Sequence, residues 1–145
     1  MQKIFRSRTP PASAPAAAPG PAVDWRVDLP RLSNAVVEMW EPSVADAAAL
    51  LTAIGGADLV HVPELPAATL PALEAYLGGL PQRRASGLAA CWAIQPAGAT
   101  GPVGLVLFRG LDPAFATVEG SAVLAAEYRG TGLFAAASRL VMECL

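Results

Sequence analysis

The residues of this chain best suited to chemistry lie in the stretch EYRGTGLFAAASRL, residues 127–140. Arg129 supplies a fixed positive charge, Gly130 and Gly132 let the backbone approach a ligand closely, and Thr131 adds a hydroxyl. Two phosphate-binding signatures overlap there. From Gly130 the spelling is G-x-G-x-x-A, the turn of a parallel dinucleotide-binding βαβ unit, which needs an acidic residue about 20 positions later to hold a ribose. From Arg129 it is R-G-x-G, a basic glycine loop opening a helix, where backbone N–H groups and the positive end of the helix dipole favour a diphosphate. The sequence ends 13 residues after Gly132, which leaves the first signature without its acid and its second strand.

Other polar and reactive residues point to less. His61 falls near Asp58 and Glu64 at irregular spacing that matches no metal template, so it reads as an ordinary loop histidine and no metal is expected. Cys91 lies in a strand-like run and Cys144 in a helix-like one, as buried thiols would in a reducing compartment. Trp40, Trp92 and Tyr76 read as core or pocket-wall aromatics, and Arg83-Arg84 as a solvated charge pair.

The elements that must position the glycine loop follow from periodicity. NAVVEMWEP (34–42) is strand-like and ends at Pro42. Ser43 with Asp46 makes a helix start before ADAAALLTAI, and Gly55-Gly56 a stop. Residues 57–68 read as a loop, Thr69 as the cap of a helix over LPALEAYLGG, and PQRRASG (81–87) as a polar exit. The runs 88–95, 102–108 and 117–125 are short and β-prone, with connections too brief for crossover helices, which predicts an antiparallel meander. TGLFAAASRLVMECL (131–145) then reads as an amphipathic helix with Leu133, Ala137, Leu140, Val141 and Cys144 on one face.

Composition narrows the partners. Ten basic against twelve acidic residues and a pI near 5.3 give no positive field to attract nucleic acid. Neither a secretory leader nor a membrane-length apolar run is visible, so a soluble cytoplasmic protein is expected. Residues 1–24, basic and then rich in Pro and Ala (TPPASAPAAAPGPA, 9–22), read as a disordered tail ahead of a domain over 25–145.

The order of these elements resembles the GNAT superfamily of N-acetyltransferases, most nearly the branch that acetylates ribosomal-protein N-termini. VEMWEPSVADAAALL looks like the family's first strand and helix, GPVGLVLFRGLDPAFATVEGSAVL like its third and fourth strands, and AAEYRGTGLFAAASRL like its coenzyme A loop and following helix. The resemblance implies an α/β (α+β) fold with a mainly antiparallel sheet and flanking helices, and acetyl-CoA as co-substrate for a primary amine on a protein N-terminus or a small molecule. It makes Glu119 the candidate general base, ten residues before Arg129. It makes Val123, Leu124, Arg129, Gly130, Thr131, Gly132 and Leu133 the cofactor-binding set. Phe134 stands where the family often has Gly, Ala or Asn, and is set either to crowd the diphosphate or to cover it.

The family fold continues past this helix with another strand-helix-strand block, so the resemblance also implies a C-terminally truncated domain with reduced catalytic competence. The strand over 117–125 is then expected to present an open edge. Two rival expectations follow: a non-catalytic remnant whose half-sheet associates with a second copy of the chain, and a nucleotide-binding Rossmann fragment, which requires a parallel sheet.

Overall fold

A computed structural model describes residues 2–8, 24–59, 68–109 and 117–144. Its centre is a six-stranded sheet of β1 (Gln2–Arg8), β2 (Leu32–Ser33), β3 (Val37–Trp40), β4 (Ala89–Pro96), β5 (Gly104–Arg109) and β6 (Thr117–Leu124). The spatial order is β1-β6-β5-β4-β3-β2, and every pairing is antiparallel. The helices are α1 (Ala47–Ile54), α2 (Gly56–Leu59), α3 (Leu70–Gly78), α4 (Leu80–Ala85) and α5 (Leu133–Cys144).

The central strands are near-continuous apolar runs because both of their faces are covered. On β4, Ala90, Trp92 and Ile94 join Val106 and Phe108 of β5, Ala122 and Leu124 of β6, and Leu133, Ala137 and Val141 of α5. The alternate residues Ala89, Cys91, Ala93, Leu105, Leu107 and Val123 pack with α1, α3 and α4. Trp92 and Phe108 meet edge to face at 5.9 Å, and the Trp92 indole N–H donates to the Pro30 carbonyl at 3.1 Å. Burying either ring contributes about 2–3 kcal/mol.

Local signals do what their chemistry dictates. Ser43 and Asp46 form a capping box around a 3-10 turn that leads into α1, and Asp46 also accepts from the Trp40 indole at 3.1 Å. Gly55 ends α1 at φ 86°, and the Thr69 hydroxyl accepts from the Ala72 amide at the start of α3.

Four expectations change. The predicted loop 57–68 opens on the last three residues of α2, which starts at Gly56 of the predicted stop, while residues 60–67, with His61 and Glu64, lie outside the described set, as does the side chain of Cys144. The predicted polar exit is α4: Gly79 stays in the right-handed region at φ −88°, and Pro81 in the first turn costs no hydrogen bond. The predicted solvated pair splits, because Arg84 is buried at 7% exposure. Its guanidinium donates to Glu41 at 2.6 Å and to the Arg26 carbonyl at 2.6 Å, whereas Arg83 lies over the Tyr76 ring at 5.5 Å.

The fourth change concerns the edge of β6. The basic start of the predicted tail is β1, which pairs along β6 from Gln2 opposite Val123 to Arg8 opposite Thr117. The open edge expected at 117–125 is therefore closed from within the chain. The Pro/Ala-rich tract 9–22 lies outside the described residues.

Candidate functional site

At the loop end of β6 the chain leaves Leu124 through a 3-10 turn (Ala126–Tyr128), passes Arg129 and the two glycines, and enters α5. Gly130 and Gly132 adopt φ of 77° and 86°, where side chains are strained, and a Cβ on either would meet nothing within 4 Å. The glycines thus serve the turn, and the space in front of them is open. Thr131 ties the turn together, its hydroxyl donating to the Tyr128 carbonyl at 2.6 Å.

A cavity of about 100 Å³ lies against this loop. Its floor is Ala122 and Leu124 of β6, its rim Arg129, Gly130 and Gly132, and its walls Tyr128, Phe134 and Ala135. The first turn of α5 contributes backbone N–H groups with no intrahelical acceptor and the positive end of a twelve-residue helix. Phe134 is half-buried against the main core while lining the cavity, so it forms a wall on the helix side.

Arg129 is held in place from two sides. Its guanidinium donates to the Leu124 carbonyl at 3.2 and 3.3 Å and is ion-paired with Asp58 of α2. Both side chains are 28% exposed. The Arg129 hydrogen bond holds the Asp58 carboxyl below its ordinary value of 3.8. The arginine is thus pre-positioned at the cavity rim by a carboxylate that would compete with an incoming anion for it.

The sequence-predicted residues divide here. Leu124, Arg129, Gly130 and Gly132 line the cavity. Thr131 is exposed in the turn, while Leu133 is buried in the core on the α5 side and Val123 in the core on the opposite face. Glu119 stands apart, five residues before Leu124 and so about 17 Å along the strand. By strand alternation it shares the face of Ser121 and Val123 rather than that of Ala122 and Leu124. Glu119 pairs across the ladder with Arg109 at 3.2 Å, with both side chains part-exposed.

Tyr128 joins the site without having been among the sequence candidates. It lines the cavity and also a shallower groove of about 480 Å³ between α1 and the β4–β5 turn. Its only sequence signal is its place immediately before the arginine. Cys91 is buried in β4, and burial pushes its thiol far above the ordinary range, which removes it as a nucleophile.

The antiparallel pairing of β5 and β6 excludes the parallel unit a dinucleotide turn requires. What remains is an α/β protein with a glycine loop that borders a cavity at the end of an antiparallel strand. No protein-family model and no curated protein matches the chain. A solved structure described as "Crystal structure of putative acetyltransferase" is similar over 77% of this chain, at a TM-score of 0.55 and 21% identity. That likeness shows an acetyltransferase-like fold. The chain spans 57% of the length of that structure. Among the described residues no helix is long and apolar enough to cross a membrane.

Proposed function

We propose that this chain carries the cofactor-binding half of an acetyl-CoA-dependent N-acetyltransferase of the GNAT type, acting on a primary amine. The observation that carries the reading is the open glycine turn with Arg129 at its rim, at the start of α5 on an antiparallel sheet. A parallel nucleotide fold would need different strands, and a purely structural turn would need no cavity in front of its glycines.

In this reading Arg129 and the amides from Gly130 to Leu133 hold the diphosphate, Thr131 adds its hydroxyl at the exposed side, and Phe134 closes the wall beneath. Backbone groups of Val123 and Leu124 guide the pantetheine arm along β6. The chemistry this cofactor brings is an acetyl thioester open to direct attack by an amine. The new C–N bond would form as the C–S bond breaks, the sulfur leaving with the electron pair as the coenzyme A thiolate, and the nitrogen would lose one proton, which balances that thiolate as the free thiol. Glu119 is the proposed acceptor of that proton, directly or through a water.

The proton balance favours one acceptor class. At pH 7 about a seventh of an α-amine of pKa near 7.8 is neutral, against about one in 2,500 for a lysine near 10.4. A single part-exposed carboxylate already paired with Arg109 suits the acceptor that needs least help, which is a protein N-terminus or a similarly weak amine.

Titration of ¹⁵N-labelled chain with acetyl-CoA tests the reading. Amide shifts should cluster at Gly130, Thr131, Gly132 and Leu133 and saturate. Absence of saturable shifts, or shifts clustered elsewhere, would overturn it.

A further inference from the structure

We propose that β1 is a removable strap, an intramolecular occupant of the β6 edge that must leave before acetyl-CoA can bind fully. The inference rests on the reading above, since it concerns the edge along which the pantetheine arm is to lie. The antiparallel register sets Gln2 opposite Val123 and Lys3 opposite Ala122, so β1 begins at the cavity end of β6 and runs away from it to Arg8 opposite Thr117. The outer backbone groups from Thr117 to Val123 are therefore paired with chain, and a second extended ligand cannot pair with them at the same time.

The two neighbours of β6 differ in what holds them. On the inner side β5 lies between the two cores, with Leu105, Val106, Leu107 and Phe108 all buried. On the outer side β1 is the last strand of the sheet, and only Ile4 and Phe5 among its residues are bulky and apolar. Lys3, Arg6 and Arg8 make it basic, and Arg6 falls opposite Glu119, the proposed base. Its connection to the domain runs through the Pro/Ala-rich tract 9–22, whose sequence offers no bulky apolar group to anchor it. An edge strand of that composition has less apolar area to bury than β5 and leaves more easily.

The strap also gives the edge a function in the absence of cofactor. An unpaired β6 would offer a template to other chains, and a charged edge strand blunts that association. The same pairing occupies the β6 edge along which the pantetheine arm would lie, so cofactor binding and strap pairing oppose each other. The affinity measured for the intact chain is reduced by the fraction of molecules in which the strap is on.

A reversible lock tests this in the full chain. In a Cys144→Ser background, Ile4→Cys with Ser121→Cys places two thiols at directly opposed positions, away from the cavity lining. The oxidised form should bind acetyl-CoA at least tenfold more weakly than the same protein reduced, and the reduced form reports that the variant folds. Hydrogen exchange gives a second readout on the unmodified chain: acetyl-CoA should speed exchange at the amides of residues 3–8. Equal affinity in the oxidised and reduced forms, or unchanged exchange in β1 under saturating acetyl-CoA, overturns the strap and leaves the site reading intact. If neither form nor the unmodified chain binds acetyl-CoA, the site reading fails and the strap fails with it.

Discussion

Arg84 and Arg129 are built from the same parts and do different things. Each pairs a guanidinium with one carboxylate and with backbone carbonyls: Glu41 and the Trp25 and Arg26 carbonyls for Arg84, Asp58 and the Leu124 carbonyl for Arg129. Arg84 is closed in, with its side chain 9% exposed, and clamps α4 to the chain entering β2 and the chain leaving β3. Arg129 is 28% exposed and borders a cavity beside two glycines with nothing in front of them. An arginine's hydrogen bonds alone therefore do not distinguish a clamp from a ligand site. The open volume beside it does.

The largest expected effect breaks the clamp. Arg84→Ala leaves the part-buried Glu41 without its partner and should cost about 3 kcal/mol, lowering the thermal midpoint by roughly 10 °C. The same change at the rim, Arg129→Ala, should lower the denaturant midpoint much less, because its pair is partly exposed to solvent. Acetyl-CoA affinity should nevertheless fall about ten- to a hundredfold, the worth of a charged hydrogen bond. If Arg129→Ala proved as destabilising as Arg84→Ala and left affinity unchanged, both arginines would be clamps.

A glycine pair sharpens the contrast. Gly55 and Gly132 both sit at φ 86°, and a Cβ added to either would meet open space, but only Gly132 borders the cavity. Alanine at either should cost roughly 1–2 kcal/mol in stability, while only Gly132→Ala should weaken acetyl-CoA binding, as read by calorimetry.

The smallest effect is in pH. Arg129 holds the Asp58 carboxyl below 3.8, so this pair contributes its full stabilisation above that value and loses it as pH falls through the lower folded value. Thermal unfolding of the chain and of Asp58→Asn should differ at pH 7, and the difference should shrink below about pH 4.

How much of this was legible in the sequence depended on how local each signal was. The capping box at Ser43 and Asp46, the Thr69 cap, the Gly55 stop and the three apolar strands were readable because each acts within a few residues. α4 was hidden by Gly79 and Pro81, which read as punctuation until their backbone angles were known. The burial of Arg84 depends on Glu41, 43 residues away, and no local pattern announces it. β1 was the hardest: QKIFRSR has little strand character, and its pairing partner β6 lies near the opposite end of the chain. At the site, the glycine loop was legible from spacing, whereas the Asp58 contact, the Tyr128 wall and the separation of Glu119 from the cavity depend on tertiary placement.

The measurement that bears most directly on the central claim is calorimetric titration of acetyl-CoA into the full chain, alongside Arg129→Ala and Arg84→Lys. The account predicts saturable one-to-one binding, weakened about tenfold or more by Arg129→Ala and little changed by Arg84→Lys where that variant remains folded. No saturable heat up to millimolar acetyl-CoA, or equal binding by the chain and its Arg129→Ala variant, would contradict it.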